Sequence, residues 1–310
     1  MNIVIGVDKP ARYGDSAITP VEPLLRRLRF SATMIEAVHV IPPFVYAACG
    51  APQAVAAGPT EGELRWKRIA ANTALREVAH YLVGVSWDVP RTCVLTGPTA
   101  EQLIDHADAV NAELIAVNAV DHCGHSGLLP GGVARSLLLA ASQSILIARP
   151  VCPKEGFRND PFRPLRAVFA TDHSAYAERC MEKLRHFAPQ GLAHLTVLSA
   201  YPRTEPDDCF HLSPVQRADS EAAVRDFLCA RNTAALEKLA ELQRPHGASY
   251  ESRVVRGPIS DAIAATMRDT DADLLILGAH GQGISERIAL GTVPFHEAMA
   301  SHYSILVLRA

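Results

Sequence analysis

The chain has 310 residues, which is enough for two domains of ordinary size, and 48% of them are hydrophobic while 20% are charged. Its net charge of −3 gives no reason to expect nucleic acid or an anionic membrane as a partner. No basic leader precedes the first strand-like residues, and the longest apolar stretch, 137–148, is interrupted by polar residues, so neither a signal peptide nor a membrane span is predicted. Seven cysteines without a C-x-x-C pair do not form a disulfide framework, and we expect a cytoplasmic protein.

The first half opens with an apolar strand that ends in Asp8 and is followed by Lys9-Pro10. A segment rich in Ala, Pro and Gly, Pro42–Gly62, follows its second strand, and we expect a lid, a partner-binding surface or a disordered insert there. Further along, Asp121-His122-Cys123-Gly124-His125 groups four potential metal ligands. Their spacing is not a zinc pattern, so we interpret the segment as a solvated loop and predict no metal site.

The two halves of the chain are repeats of each other. A shift of 160 residues places Cys93–Arg149 on Arg253–Arg309 without a gap, and 13 of the 57 positions are identical. The identities fall at glycines, such as Gly97 on Gly257, and in strand centres, which indicates duplicated architecture. We therefore expect one domain over residues 1–150, a linker rich in Pro and charge over 151–164, and a second domain over 165–310.

The second half alternates predicted strands and helices. Strands are predicted at Leu165–Thr171, His194–Ala200, Ser249–Val255, Asp273–Leu277 and Ser304–Leu308. Helices are predicted at Ala175–Phe187, Arg217–Gln243, Ser260–Thr270 and Val293–Ser301, with Ser260 as an N-cap. The stretch Tyr201–Ser220, which contains three prolines, is predicted to be a lid or a floppy insert.

This pattern predicts an α/β fold with two tandem, doubly wound open parallel sheets. Near-continuous Val, Ile and Leu runs are typical of strands buried on both faces, as in a parallel sheet. Ligands of such sheets bind beyond the carboxyl ends of the strands. Asp172, Gly257 and Gly278 all follow or end predicted strands, so we expect them to converge on one crevice.

A glycine motif follows the fourth strand of the second half. Gly278 and Gly281 are separated by two residues, and Gly291-Thr292 comes nine residues later at the start of a predicted helix. Glycines let the backbone turn sharply off a strand, and a helix N-terminus favours an anion. The pattern predicts a phosphate-binding loop without the lysine of a P-loop, although a tight turn with Thr292 as helix cap remains the alternative.

These residues, together with Ala170-Thr171-Asp172-His173-Ser174 and Gly257-Pro258, resemble the universal stress protein family, and the two copies resemble its tandem class. The resemblance implies a five-stranded sheet per domain, similar to the adenine-nucleotide alpha hydrolases, and pairing of the domains through Ser144–Ala148 and Ser304–Leu308. It also implies ATP, with Mg²⁺, as the ligand. The residues that it assigns to the nucleotide are Asp172, Ala200, Gly257, Gly278, Gly281, Gly291, Thr292 and Val293.

The first half departs from the family pattern. Asn118 and Asp121 stand in place of Gly278 and Gly281, and Gly131-Gly132 replaces Gly291-Thr292. Asparagine tolerates a left-handed turn, but a carboxylate at 121 would repel phosphates. We therefore predict that the first domain does not bind ATP.

The resemblance implies a stress-linked regulatory or sensing protein rather than a high-turnover enzyme, and it transfers no catalytic residue. Any ATP hydrolysis should be slow, because phosphoryl transfer also needs charge neutralisation and a positioned nucleophile. Two alternatives stay open: a scaffold that binds no nucleotide, and an ATP-dependent nucleotidyl transferase. Asp172 could simply cap the next helix, and His173 and His280 could sense pH, contact phosphate or face solvent. A homodimer is a further possibility.

Overall fold

The structure is a computed structural model, and it describes residues 1–8, 16–42, 60–119, 132–150, 164–201, 214–243, 248–281 and 290–310. The chain divides into two compact units. Each unit contains five parallel strands and four helices within the described residues.

The first unit is a parallel sheet with helices in the connections. Its strands are β1 (Asn2–Gly6), β2 (Met34–Ile41), β3 (Arg91–Thr96), β4 (Leu114–Asn118) and β5 (Ser144–Ala148). Its helices are α1 (Val21–Leu28), α2 (Glu61–Tyr81), α3 (Thr99–Ala109) and α4 (Gly132–Ala140). In the strand order β3-β2-β1-β4-β5, the strands β2 and β3 lie on one side of β1, and β4 and β5 lie on the other side. This arrangement makes the sheet doubly wound.

The second unit repeats this arrangement. Its strands are β6 (Leu165–Ala170), β7 (Leu192–Tyr201), β8 (Ser249–Arg256), β9 (Leu274–Gly278) and β10 (Ser304–Leu308). Its helices are α5 (Ala175–Phe187), α6 (Pro214–Gln243), α7 (Ile259–Asp269) and α8 (Thr292–Ala300). The strand order is β10-β9-β6-β7-β8 and all pairs are parallel, so the predicted fold class is confirmed.

The strands form the core because their apolar runs are covered on both faces. Every residue of β2, β4, β5 and β10 is buried. Burial on both faces is the reason that these strands read as continuous apolar runs rather than as alternating ones. The elements predicted for the second half are all present, with ends within three residues of the predicted ones.

Three local predictions were wrong. Ser260 does not cap α7, because the helix begins at Ile259 and its N-cap is Pro258, which makes no side-chain cap bond. Residues 214–220 belong to α6 instead of the predicted insert, and Pro214 suits the first helical position because it lacks an N–H. At the other predicted insert, α2 already begins at Glu61, with a capping box between Thr60 and Glu63. The remaining parts of both inserts, 43–59 and 202–213, and most of the predicted linker lie outside the described residues.

The repeat extends to unusual backbone angles. Gly97 and Gly257 have φ values of 149° and 141°, and each donates its N–H to the end of a neighbouring strand. Asn111 and Asp271, which follow α3 and α7, have left-handed φ values of 50° and 47°. Two pairs of matched positions therefore share conformations that most residues avoid.

Of the helices among the described residues, none is both long and apolar enough to cross a membrane. The described cysteines Cys93, Cys180 and Cys229 are free thiols.

Candidate functional site

Four of the predicted site residues lie along one edge of the second sheet. Asp172 comes two residues after β6, Ala200 is the next-to-last residue of β7, and Gly278 ends β9. Gly257 directly follows β8 and donates its N–H to the carbonyl of Tyr201 at 2.9 Å. Because these four strands are neighbours and parallel, their carboxyl ends form one continuous edge.

Asp172 and Gly281 are in direct proximity. One carboxylate oxygen of Asp172, Oδ1, accepts the N–H of Ser174 at 3.0 Å. The other, Oδ2, would lie 3.0 Å from a Cβ added to Gly281. The cap of α5 is Ser174, whose hydroxyl accepts the N–H of Ala177 at 3.1 Å, so Asp172 is not itself the helix cap.

A side chain at position 278 would crowd residues of α5. A Cβ on this residue would lie 3.1 Å from Sγ of Cys180 and 3.2 Å from Cε1 of Tyr176. Neither Gly278 nor Gly281 has a φ in the left-handed region. The lack of a side chain, rather than an unusual backbone angle, therefore brings this loop close to α5.

The glycine motif is closed by a hydrogen bond at the start of α8. Gly291 is the N-cap and donates its N–H to the carbonyl of Ala279 at 2.7 Å. That N–H is therefore bonded within the protein, and the assignment of Gly291 to the nucleotide stays a prediction. Thr292 is the first helical residue rather than the cap, and its side chain is exposed. Because Pro294 has no N–H, the first turn presents the N–H groups of Thr292 and Val293.

The imidazole of His173 contacts a buried polar cluster formed by Ser199 and Asn232. Its Nε2 lies 2.8 Å from Oδ1 of Asn232 and 3.1 Å from the hydroxyl of Ser199. Its backbone is left-handed, with a φ of 55°, and Arg231 donates to its carbonyl at 3.1 Å. Burial lowers the pKa of His173 and the Arg231 guanidinium lowers it further, while the hydrogen bond that the ring makes to Oδ1 of Asn232 opposes this shift. The imidazole thus serves to fix the turn that carries Asp172.

His280 packs against the first turn of α5. Its ring meets the ring of Tyr176 edge to face, with centroids 4.8 Å apart. Burial raises the pKa of Tyr176 to about 12, so the phenol stays protonated and donates to the carbonyl of Leu308 at 3.5 Å. His280 and Tyr176 together back the loop between Gly278 and Gly281.

Sequence reasoning missed Asn232. It is completely buried on α6, donates to the carbonyls of Val197 and Arg253, and accepts from Ser199. Its position on the buried face of α6, three and seven residues before the buried Ala235 and Leu239, is the sequence pattern that could have revealed it. An amide inside an apolar helical stripe indicates a satisfied polar anchor.

A small pocket behind His173 lies between α5 and α6. Its volume is about 80 Å³, and Phe169, Met181 and Arg231 line it. Ligand pockets for drug-sized molecules usually start at about 300 Å³, so this space is too small for a nucleotide. None of the eight predicted site residues is among its described lining residues.

The first domain has a larger cleft at the matching edge of its own sheet, of about 310 Å³. Four of its lining residues occupy the positions that the repeat pairs with Asp172, Ala200, Gly278 and Val293, namely Asp8, Val40, Asn118 and Val133. The same positions in the two halves therefore surround one edge of each sheet.

Asn118 fills the place of the first motif glycine with a structural role. Its Oδ1 accepts the N–H of Val21 at 3.0 Å, and its amide donates to the hydroxyl of Thr19. Its φ is not left-handed, so the tolerated turn that we expected there is not used. Lys9, Pro10, Asp121 and Gly131 lie outside the described residues, as does the whole 121–125 loop.

The fold and the edge described above define a protein of two tandem, doubly wound α/β domains, the second of which carries a glycine-rich loop at the carboxyl ends of its strands. Residues 165–309 match the model of the universal stress protein family. The second domain is therefore a universal stress protein domain, and the family resemblance drawn from the sequence is confirmed.

Solved structures extend the likeness to the whole chain. A universal stress protein from Archaeoglobus fulgidus is 16% identical, with a TM-score of 0.60 over 99% of this chain and 98% of that one. A putative universal stress protein from Pseudomonas aeruginosa is 15% identical, with a TM-score of 0.59 over 99% of this chain and 92% of that one. A functionally unknown protein from the same species is 14% identical, with a TM-score of 0.61 and the same coverage. At such identities the likeness shows the tandem fold; no curated protein sequence matches the chain.

Proposed function

We propose that the second domain binds ATP with Mg²⁺ at the carboxyl edge of its sheet, and that the chain acts as a stress-linked regulatory or sensing protein. The observation that carries the proposal is the contact of Asp172 with Gly281, which joins the end of β6 to the glycine motif. The hydrogen bond from the N–H of Gly291 to the carbonyl of Ala279 holds the start of α8 against the same loop.

The described residues fit a nucleotide in their chemistry. The N–H groups of Thr292 and Val293 and the exposed Thr292 hydroxyl would hold phosphate oxygens, because first-turn donors and the helix dipole favour anions. Gly278 and Gly281 would allow the backbone to approach the phosphates. Asp172, Ala200 and Gly257 would lie toward the adenosine end, as the family resemblance implies.

Mg²⁺ would reduce the electrostatic repulsion between the nucleotide and the site. Asp172 Oδ2 lies against Gly281, so a phosphate held near that glycine would meet a carboxylate. A divalent cation would offset this repulsion between like charges. We therefore expect ATP to bind more weakly when Mg²⁺ is removed with a chelator.

ATP hydrolysis in this domain should be slow. Between Gly278 and Thr292 the sequence holds one arginine, Arg287, and no lysine. Fast phosphoryl transfer requires charge neutralisation and a positioned nucleophile, for which we assign no residue. A turnover above about 1 s⁻¹, the lower end of typical enzyme rates, would contradict this proposal.

The proposal is tested by titration calorimetry of ATP with Mg²⁺ into the full chain. We expect one site per chain, because the first domain is proposed not to bind ATP. Gly281→Asp should abolish binding, since it copies Asp121 and adds a second carboxylate beside Asp172. Gly281→Asn has the same size without the charge and should retain part of the affinity.

Gly62→Asp is the matched control, because Gly62 is exposed in the first turn of α2 and a Cβ added there would have no atom within 4 Å. It should bind ATP like the unchanged chain. Equal binding by Gly281→Asp and Gly62→Asp would refute the site, and two ATP molecules per chain would refute the inactive first domain. No heat and no thermal shift with any adenine nucleotide would favour the scaffold alternative, while release of pyrophosphate to an acceptor would favour the transferase.

A cytoplasmic location, pairing of the two domains through β5 and β10, and a homodimer stay predictions. Fractionation of cells that produce the protein and light scattering of the purified chain would test the first and the last of them.

A further inference from the structure

Three metal-ligating side chains from separate elements meet in the first domain. Glu36 lies on β2, Cys93 on β3 and His106 on α3. Their ligand atoms all lie within 4.8 Å of one another. Cys93 pairs in register with Val38, which places it beside Glu36 on the face of the sheet that α3 covers. The three residues form what we call the Glu36 cluster.

The Glu36 cluster contains a buried nitrogen without a hydrogen bond. Nε2 of His106 lies 3.1 Å from Oε2 of Glu36, yet within the described part of the chain it has no hydrogen-bond partner, because the two atoms are not aligned for one. Zinc bonds of about 2.0–2.1 Å to nitrogen and oxygen place tetrahedral ligands about 3.3 Å apart. The observed separation is therefore close to that of two ligands on one metal ion.

The Glu36 cluster contains a buried carboxylate, whose negative charge a bound cation would offset. Glu36 is only 9% exposed, and among the described residues its ion-pair partner is His106.

The second domain shows that the fold does not require these residues. The repeat pairs Glu36, Cys93 and His106 with Thr196, Arg253 and Thr266. Those three offer no metal-ligating set, and Arg253 instead contacts Glu251 at 2.7 Å. The ligand set is thus a property of the first domain alone.

We propose that Glu36, Cys93 and His106 bind one Zn²⁺ ion. Thiolate sulfur, imidazole nitrogen and carboxylate oxygen are all zinc ligands, and the thiol and imidazole distinguish the site from one for Mg²⁺ or Ca²⁺. Binding releases the Cys93 thiol proton to solvent as the Zn–S bond forms. Three protein ligands leave the fourth position for water. Because β3 is the edge strand of its sheet, the ion can reach the site from solvent.

The test uses the full chain, treated with a chelator and then titrated with Zn²⁺ against a chromophoric competitor. We expect one tight site per chain. Cys93→Ser and His106→Ala should each weaken it by more than the roughly 100-fold that loss of an outer-shell partner costs. Cys229→Ser is the matched control, because Cys229 is an exposed free thiol on α6, and it should bind Zn²⁺ unchanged.

Cobalt gives an independent readout on the unchanged protein. Co²⁺ should produce the sulfur-to-metal charge-transfer absorption of a thiolate ligand, and Zn²⁺ should slow alkylation of Cys93, as mapped by peptide mass. Unchanged zinc affinity in Cys93→Ser, or an alkylation rate of Cys93 that zinc does not alter, would overturn the proposal. Neither readout involves ATP, so failure of the zinc site would leave the proposed nucleotide site standing.

Discussion

The carboxylate of Asp172 and the backbone of Gly281 lie so close together that a single added carbon on residue 281 would stand 3.0 Å from Oδ2. Such a contact is tighter than nine in ten real Cβ contacts, so the carboxylate would have to move by a few tenths of an ångström. Residue 281 is therefore constrained by a side chain more than a hundred positions earlier. This constraint links the first strand of the second domain to its glycine motif.

Thr292→Val should weaken ATP binding without changing stability. The substitution keeps the shape of an exposed side chain and removes one hydroxyl from the start of α8. A hydrogen bond of about 1 kcal/mol corresponds to roughly a fivefold loss of affinity, more if the hydroxyl meets a charged phosphate. Titration calorimetry and a thermal melt check the two halves of this prediction, and unaltered affinity would remove Thr292 from the site.

Gly257→Ala should destabilise the second domain by about 1–3 kcal/mol. Its φ of 141° is one that residues with a Cβ rarely adopt, although no atom lies within 4 Å of the added carbon. The cost is therefore backbone strain rather than a clash. Gly62→Ala, where φ is not strained and space is open, should stabilise by about 0.4–1 kcal/mol. Denaturant midpoints compare the two, and opposite signs are the expected result.

Asn232→Ala should cost about 2–4 kcal/mol, since it leaves the buried carbonyl of Val197, the part-buried carbonyl of Arg253 and the hydroxyl of Ser199 without this partner. Thr233→Ala is the neighbouring control. Among the described residues its exposed hydroxyl bonds the carbonyl of Cys229 in the same helix and no other group, and the change should be near neutral. Urea unfolding measures both. A loss for Asn232→Ala no larger than for the control would show that the polar cluster is not a stabilising anchor.

The stability of the second domain should fall as the pH drops below the ordinary histidine pKa of about 6.5. Burial lowers the pKa of His173 and of His194, so the unfolded chain binds more protons than the folded one in this range. The free energy of unfolding therefore rises with pH across it and levels off above. His173→Asn, which suits the left-handed backbone, should reduce that slope.

His302→Asn, a change at an exposed position, is the control for the pH series and should leave the slope as it was. Unfolding midpoints measured from pH 7.5 down to the acid range decide the matter. A slope for His173→Asn equal to that of the unchanged chain would place the titrating group elsewhere.

The fold could be predicted because its determinants are local and repeated. Apolar runs of strand length, matched glycines such as Gly97 and Gly257, and strand–helix alternation all lie within short stretches of sequence. Helix ends were less predictable. Ser260 has the chemistry of a cap, but the preceding Pro258 starts the helix earlier, and nothing local decides between them.

The sequence predicted that several candidate site residues would lie at one edge of the second sheet, but not the contacts that support them there. The glycine motif and Asp172 are visible from spacing, whereas the use of the Gly291 N–H by Ala279 depends on the path of a loop in three dimensions. The Glu36 cluster was invisible for the same reason. Its members are separated by 57 and 13 residues in sequence, so only the register of β2 with β3 and the placement of α3 bring them together.

The left-handed residues Asn111 and Asp271 are two positions at which this chain could be stabilised against unfolding. Each lies just past the end of a helix and before the strand that follows, and thus opposite the carboxyl edge of its own sheet. A glycine there would adopt the same backbone angle without the cost that a side chain imposes. The two halves share this backbone conformation but not the residue. Each half therefore offers one position at which a glycine could raise the free energy of unfolding without changing the carboxyl edge of its sheet.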